Sequence, residues 1–567
     1  MNLLLWLEIQ DPPQKLSPAI AVVKCKGCVQ KCSAVEHAST SNQMEKCQKV
    51  LDQEPSVSKM SQKKNKERLV VNHGDVDLST PILSSLMNYV LFGCCATFGA
   101  IFYSLKSAGI LNDGKPLDPR REENYSTLYS SFESFFTRTF FDPVRNIFER
   151  VTTGVPGAHI TIKGRASKSN LRNFPHECIN MGSYNYLGFS DNKGQWITPV
   201  KESIAKLGLG NCSSRRELGF NGQLERLESL VAQYLGTEAA LTYGMGFATN
   251  STTIPALVSK GDLVISDEKN HASIILGVQI SGASVEVFKH NNVVDLERVL
   301  RRSIIQGQPR TRRPWKKILI IVEGIYSMEG TIVKLPEIIA LKKKYKAYLY
   351  LDEAHSIGAC GSHGKGVVDY FGLDVRDVDI MMGTFTKSFG ASGGYIAGSK
   401  ALIDYLRTGS HGWCYATSMS PPIAQQIIST TRIIQGEDMH DEGKRRIRLL
   451  LANSRYFRRR LKQEGFQVLG DDDSPVVPIL IACCVKVIPF VKILNDFGVA
   501  TVGVSFPATS IQQTRSRFCV SAAHTKEMLD DTIDAIIKAA DVIHLHRQKR
   551  RVEEKVEIFY EYSDDLQ

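Results

Sequence analysis

Asp379-Ile380-Met381-Met382-Gly383-Thr384-Phe385-Thr386-Lys387-Ser388-Phe389-Gly390, with Gly393-Gly394-Tyr395 close behind, is an apolar run that ends at a lysine among hydroxyls and glycines. The stretch Asp379 to Gly383 reads as a buried strand. A lysine just past it is neither a solvated surface charge nor part of a helical charge pattern. Flanking hydroxyls can hold a phosphate, and glycines let backbone come close to a flat ligand. A pyridoxal-phosphate (PLP) Schiff base needs that combination: an amine beside a phosphate cradle, desolvated enough to be nucleophilic. An ordinary turn can share the composition, so the rest of the chain has to discriminate.

Upstream, Ala347-Tyr-Leu-Tyr-Leu351 is an apolar run typical of a buried parallel strand, ending in Asp352-Glu353-Ala354-His355. A carboxylate at a buried strand end is expensive without a cationic partner, and a pyridinium nitrogen would be one. His355 could then hydrogen-bond the ring hydroxyl. Leu263-Val-Ile-Ser266 leads into Asn270-His271-Ala272-Ser273, which places an imidazole where it could stack on the ring. Tyr243-Gly244-Met245-Gly246-Phe247-Ala248-Thr249-Asn250 is a glycine turn opening a helix, where free N–H groups favour a phosphate. Each signal alone has a bland alternative. Their order along the chain suits a single site.

From residue 155 the pattern alternates. Helices are predicted at 223–235 and 336–345 from apolar spacings of three and four. Strands are predicted at 263–266, 285–288, 318–322, 347–351, 380–382 and 395–397. Such alternation predicts an α/β fold, a mostly parallel sheet covered by helices with ligands at the strand ends. Residues 423–460 read as one long helix, and 525–546 as a closing helix.

The order Gly246-Phe247-Ala248, Asn270-His271-Ala272-Ser273, Asp352-Glu353-Ala354-His355, Lys387, then Tyr415-Ala416-Thr417-Ser418 resembles the α-oxoamine synthases. The wording Met181-Gly-Ser-Tyr-Asn-Tyr-Leu-Gly188, Glu323-Gly-Ile-Tyr-Ser-Met-Glu-Gly330 and Gly383 to Gly390 is most similar to the PLP-bearing second subunits of the serine palmitoyltransferase family. The likeness runs from about residue 125 to about 545. It implies a fold-type I PLP-dependent transferase, with a large domain over 161–420 and a smaller C-terminal α+β domain over 421–547. It implies PLP bound covalently to Lys387, with Lys387, His271 and Asp352 catalytic. Gly246, Phe247, His355, Thr384 and Thr386 would complete the cofactor site. Arg517 would hold the amino-acid carboxylate, with Arg515 its rival, and Asn185 and Ser213-Ser214-Arg215 would form active-site walls. Gln223 stands where some members carry histidine. The implied reaction is decarboxylative condensation of L-serine with a long-chain acyl-CoA to 3-ketosphinganine. The implied partner is a cofactor-free first subunit, and the implied location is the endoplasmic reticulum membrane, catalytic part facing the cytosol. In relatives the Thr of the Tyr415–Ser418 segment reaches the phosphate of the neighbouring subunit. Two rivals are a glycine- or alanine-using α-oxoamine synthase and a cofactor-free scaffold; Lys387 with Asp352 and His271 argues against the scaffold.

At 567 residues the chain can bury a large core and a second lobe. A net charge of +11 suits CoA or an acidic membrane face and does not require nucleic acid. The densest basic run, Arg310-Thr-Arg-Arg-Pro-Trp-Lys-Lys317, reads as a solvated lead-in to a strand rather than a CoA clamp. Thirteen cysteines show no disulfide framework, and Cys25, Cys28, Cys32 and Cys47 fit no zinc module, so no metal is expected. Residues 1–75 read as a polar, flexible region. Leu78 to Leu105 carries no formal charge; as a helix it would reach roughly 42 Å against a hydrocarbon core of about 30 Å, so 76–106 is expected to anchor in a membrane. Residues 107–160 form an aromatic connecting segment, with Tyr125 to Phe148 suited to a membrane surface or a partner, and 548–567 a charged tail.

Overall fold

The lysine-bearing run becomes an interior strand, third from one edge, of a seven-stranded sheet in the computed structural model, which describes residues 82–107, 110, 150–163, 176–506, 508–545 and 547. The expectations for residues 1–75, the four N-terminal cysteines, Tyr125 to Phe148 and the tail 548–567 lie outside the described residues.

The strands of the large sheet are β4 (Ala239–Tyr243), β5 (Leu263–Asp267), β6 (Ser284–Phe288), β7 (Ile318–Glu323), β8 (Tyr348–Asp352), β9 (Ile380–Thr384) and β10 (Gly394–Gly398), following β1 (Val151–Thr153), β2 (His159–Lys163) and β3 (His176–Asn180). Their spatial order is β4-β10-β9-β8-β7-β5-β6. All neighbours are parallel except β10, which runs against both β4 and β9. Helices cover both faces, which is why these strands read as unbroken apolar runs. Alternate side chains feed two cores: Ile320, Val322 and Leu351 enter one, Leu319, Ile321 and Tyr350 the other. Parallel pairing then collects the strand ends at one edge. Glu323 lies in register with Asp352, Asp352 with Met382, and Thr384 with Gly394, itself opposite Tyr243. Gly393, at φ +98, makes the return into β10 in a conformation that favours glycine; a Cβ there would lie 2.4 Å from the Tyr243 carbonyl oxygen. The basic run Arg310 to Lys317 enters β7 at its start, the opposite edge, in agreement with a solvated lead-in.

The C-terminal lobe packs β11 (Val476–Leu480), β14 (Arg515–Cys519) and β13 (Val502–Val504) as an antiparallel sheet, with β12 (Val499–Ala500) pairing elsewhere. Its core gathers Phe457, Phe490, Phe518 and Ile533. β12 pairs in parallel with β3, and β1 and β2 extend that sheet. The strands β1, β2 and β3 therefore form one sheet with β12, separate from the seven-stranded sheet. The single helix expected over 423–460 is corrected: it is two, Pro421–Gln435 and Glu442–Gln463. Gly436 ends the first in the left-handed conformation (φ 80), returning its N–H to the carbonyls of Arg432 and Ile433.

An N-terminal helix, Ile82–Ser107, matches the uncharged run. Asn88 donates to the Ala482 carbonyl at 2.8 Å, and Phe92 meets Phe506 edge-on at 5.6 Å, so one side docks on the C-terminal lobe. Leu86, Val90, Phe98, Ile101 and Phe102 are exposed. Among the described residues no helix is long and apolar enough to cross a membrane.

Candidate active site

Three strands deliver acidic or hydroxyl side chains to the common edge. Asp352, at the end of β8, is buried and accepts from the Asn250 side-chain amide at 2.8 Å and the Ala354 N–H at 2.9 Å. It makes no ion pair with lysine or arginine among the described residues. Glu323, at the end of β7, accepts from the backbone N–H of His271 at 2.5 Å. Burial and the neighbouring Asp352 push its pKa well above the usual carboxylate range, against the His271 N–H, which favours the charged form. Thr384, at the end of β9, bonds Thr386 at 2.8 Å and the Gly393 carbonyl at 2.9 Å.

Lys387 follows three residues later. Loss of water around its amine lowers the pKa from 10.5 to about 8, against the pull of Asp352 and Glu323 upward. Its Nζ lies 5.6 Å from the Tyr184 ring centre, and the Arg517 guanidinium lies 4.5 Å from the same ring. Both cations thus lie against the Tyr184 ring. Burial raises its phenol to about 12.

His271 caps the helix Ala272–Ser281, its Nδ1 receiving the Ser273 backbone N–H. Its ring is open to the site and meets Phe247 edge-on at 6.0 Å. Loss of water around the ring lowers its pKa, with Asp352 opposing the effect and Lys387 adding to it. His355 is buried, with Nδ1 held by the Tyr186 hydroxyl at 2.8 Å, leaving Nε2 for a further partner. Burial and the nearby Lys387 and Arg517 keep its pKa well below normal. The helix Gly246–Leu257 begins without any side-chain cap. A Cβ on Gly246 would approach Thr384 Oγ1 to 2.7 Å, so the glycine keeps open the gap between the helix start and the threonine.

The two arginines of β14 differ in their partners. The strand's alternation turns Arg515, Arg517 and Cys519 to one face and Ser516 and Phe518 to the other. Arg515 is tied down: it donates to the carbonyls of Gln513 and Met328 at 2.8 and 2.9 Å and lies 3.6 Å from Glu329. Arg517 is buried, yet its Nε has no partner; its Nη1 reaches the Met328 sulfur at 3.5 Å, and its remaining neighbours are the neutral side chains of Tyr184 and Cys519. Arg517 is the guanidinium with donors to spare.

The other wall residues differ from expectation. Asn185 is buried, and its side-chain amide is engaged with the Pro156 carbonyl and the Ser190 N–H. Its neighbour Tyr184 lies against Lys387 and Arg517. Arg215 is spent on Glu228 and Thr242, and Gln223 pairs with Gln425. Thr417 is exposed, bridged through its backbone to Ser214. Sequence reasoning passed over Tyr184, Glu323, Asn250 and Cys519 as site residues. For Cys519 a signal existed: two residues beyond Arg517 on a strand means the same face.

These residues fit PLP. A buried carboxylate held only by neutral N–H donors is suited to a ring N–H⁺. The uncapped helix start, kept open by Gly246 beside Thr384, is suited to a phosphate. A lysine amine of lowered pKa and a half-partnered buried arginine complete the set.

Residues 176–536 match the model of the family described as aminotransferase class I and II. Serine palmitoyltransferase 3 of Homo sapiens is 46% identical over 493 residues, 86% of this chain and 89% of that protein. The serine palmitoyltransferase of Sphingomonas wittichii superposes with a TM-score of 0.66 at 25% identity, covering 74% of this chain and 99% of the other. A high-resolution structure of SPT with a PLP internal aldimine gives 0.65 at 26% identity, over 74% of this chain and all of that one. The chain belongs to the aminotransferase class I and II family and, within it, to the serine palmitoyltransferases.

Proposed function

We propose that this chain is the PLP-bearing catalytic subunit that condenses L-serine with a long-chain fatty acyl-CoA, releasing CoA and CO2 to give 3-ketosphinganine, the first step of sphingolipid synthesis. The observation that carries the reading is the meeting of Lys387, Asp352, His271 and an incompletely bonded Arg517 at one sheet edge, in a chain 46% identical to a serine palmitoyltransferase. Bound there, PLP supplies an electron sink for negative charge developing at the serine Cα. Asp352 would hold the ring nitrogen and His355 Nε2 the ring hydroxyl. Gly246, Phe247, Thr384 and Thr386 would hold the phosphate.

The chain's own residues do the rest. Arg517 takes the serine carboxylate in a two-pronged grip that fixes orientation as well as charge. The Tyr184 ring packs against both Arg517 and Lys387. Lys387, with a pKa of about 8, is partly neutral at cellular pH and can accept the Cα proton.

The same reading extends to the setting. The helix Ile82–Ser107 anchors the enzyme at the endoplasmic reticulum membrane through its exposed apolar side chains, with the catalytic part in the cytosol. A cofactor-free first subunit is the partner. The exposed Tyr415 and Thr417 give that partner a surface close to the helix start at Gly246.

The test is the Lys387→Ala variant, purified with the partner subunit. It should stay folded while losing both the visible absorbance of the bound cofactor and all condensation. A borohydride-reducible PLP adduct in the variant refutes the assignment of Lys387.

A further inference from the structure

Asn250 lies in the helix Gly246–Leu257, buried against the ends of β8 and β5, and its amide is fully used. One Nδ2 hydrogen goes to Asp352 Oδ2 at 2.8 Å, and the other to Ser273 Oγ at 3.0 Å. Its Oδ1 receives the Tyr350 hydroxyl at 2.6 Å. This assignment is self-consistent: turning the amide over would set its oxygen against the Asp352 carboxylate. Oδ1 has no hydrogen, so Tyr350 must donate.

The consequences propagate. Ser273 Oγ already accepts from Asn250, so its own hydrogen is free for His271 Nδ1, 2.8 Å away. The Ser273 backbone N–H points at the same nitrogen at 3.2 Å, and a backbone N–H can only donate. Nδ1 is therefore an acceptor twice over. A neutral imidazole in that position carries its proton on Nε2. Nε2 makes no hydrogen bond among the described residues.

We propose that Asn250 and Ser273 are positioning residues that fix His271 as its Nε2–H tautomer and link it, through one hydrogen-bonded chain, to Asp352. The proposal rests on reading this edge as the cofactor site. Asp352 would then feel the ring nitrogen and His271 the ring face, and the asparagine would couple the two contacts. His271 would present an N–H to a substrate oxygen while staying uncharged, so it would not compete with Arg517 for the carboxylate.

The decisive measurement is the nitrogen spectrum of the full chain labelled with ¹⁵N-histidine, with His271 assigned by its loss in His271→Gln. The expected result is protonation at Nε2, with Nδ1 unprotonated, whether or not the preparation makes product. Protonation at Nδ1 overturns the proposal, and this holds even if every variant fails to fold. The second arm is a cycle of Ser273→Ala, Asn250→Leu and the double variant. Each single change should lower kcat about tenfold, a loss typical of residues that orient a working side chain. Because both sit in one chain, the double variant should also lose about tenfold. Losses that multiply to about a hundredfold mean independent effects and overturn the coupling. An inactive wild-type enzyme with His271 on Nε2–H would instead count against the proposed reaction, not against the tautomer.

Discussion

Arg517→Lys separates the two arginines of β14 and puts a number on the carboxylate grip. Arg515 spends its guanidinium on the Gln513 and Met328 carbonyls and on Glu329. Arg517 has an unpartnered Nε and only a sulfur contact on Nη1. Lysine at 517 keeps the charge but loses the planar fork, so one of two charge-assisted hydrogen bonds to serine goes. Such a bond contributes about 1.5–3 kcal/mol, and at about 1.4 kcal/mol per decade this is roughly 10- to 150-fold in kcat/KM for serine. The loss should fall mainly on KM, because the carboxylate is held before and during the reaction. The assay varies L-serine at fixed, saturating acyl-CoA, with thermal unfolding as the control for fold. Arg515→Lys should behave oppositely: lower stability, with serine KM within a few-fold of wild type. Were Arg517→Lys to keep the wild-type serine KM while Arg515→Lys lost it, the assignment of the carboxylate to Arg517 would be wrong.

Gly246→Ala places a methyl 2.7 Å from Thr384 Oγ1 and 3.3 Å from the Gly393 oxygen, so it should weaken PLP binding by about tenfold or more, the worth of one charge-assisted contact; equilibrium dialysis with unchanged PLP affinity refutes the cradle. His524 is buried and its pKa falls to about 4 from 6.5, so the folded state holds it neutral while the unfolded chain takes up a proton near 6.5. Its contribution is present above pH 6.5 and is lost as pH falls toward 4, on the order of 3 kcal/mol; denaturant titrations should show a shallower acid loss in His524→Gln, and identical slopes count against it. Removal of residues 1–110 should release much of the protein from membranes, and undiminished sedimentation with them would place attachment elsewhere.

The sequence was most readable where one residue must do a job that few others can. Lys387, Asp352 and His271 stood out because a charged or aromatic polar group at the end of an apolar run is costly without a purpose. The central strands were readable for the same reason, being apolar throughout. What escaped needed three dimensions. Tyr184 and Asn185 are neighbours with equal claims, and only the fold shows that the Asn185 amide is engaged with Pro156 and Ser190. The parallel contact of β3 with β12 joins residues some 320 apart, and no local pattern carries it. The break between Gln435 and Glu442 was visible in Gly436, but flanking apolar periodicity on both sides hid it.

The charge balance of the site follows from these placements. Two cations, Lys387 and Arg517, converge on Tyr184, while two carboxyl groups end adjacent strands. Were both carboxyls ionised, the edge would be neutral and would have no preference for an anionic phosphate and an amino-acid carboxylate. Asp352 has two N–H donors to hold it, whereas Glu323 has one, from His271, and a buried neighbour of the same sign. Burial and Asp352 both drive the Glu323 pKa up, which favours a proton there. With a proton on Glu323 the two cations would face a single carboxylate, and Lys387, pulled down by burial and by Arg517 and up by Asp352, has a pKa of about 8. Glu323→Gln tests this balance directly. It removes no charge if Glu323 is already neutral, so the alkaline and acidic limbs of kcat against pH should stay where they are. If Glu323 is ionised, Gln takes away a negative charge beside Lys387, lowers the lysine pKa further, and shifts the limb that Lys387 controls to lower pH. A shift of that kind would show that the second carboxylate is charged.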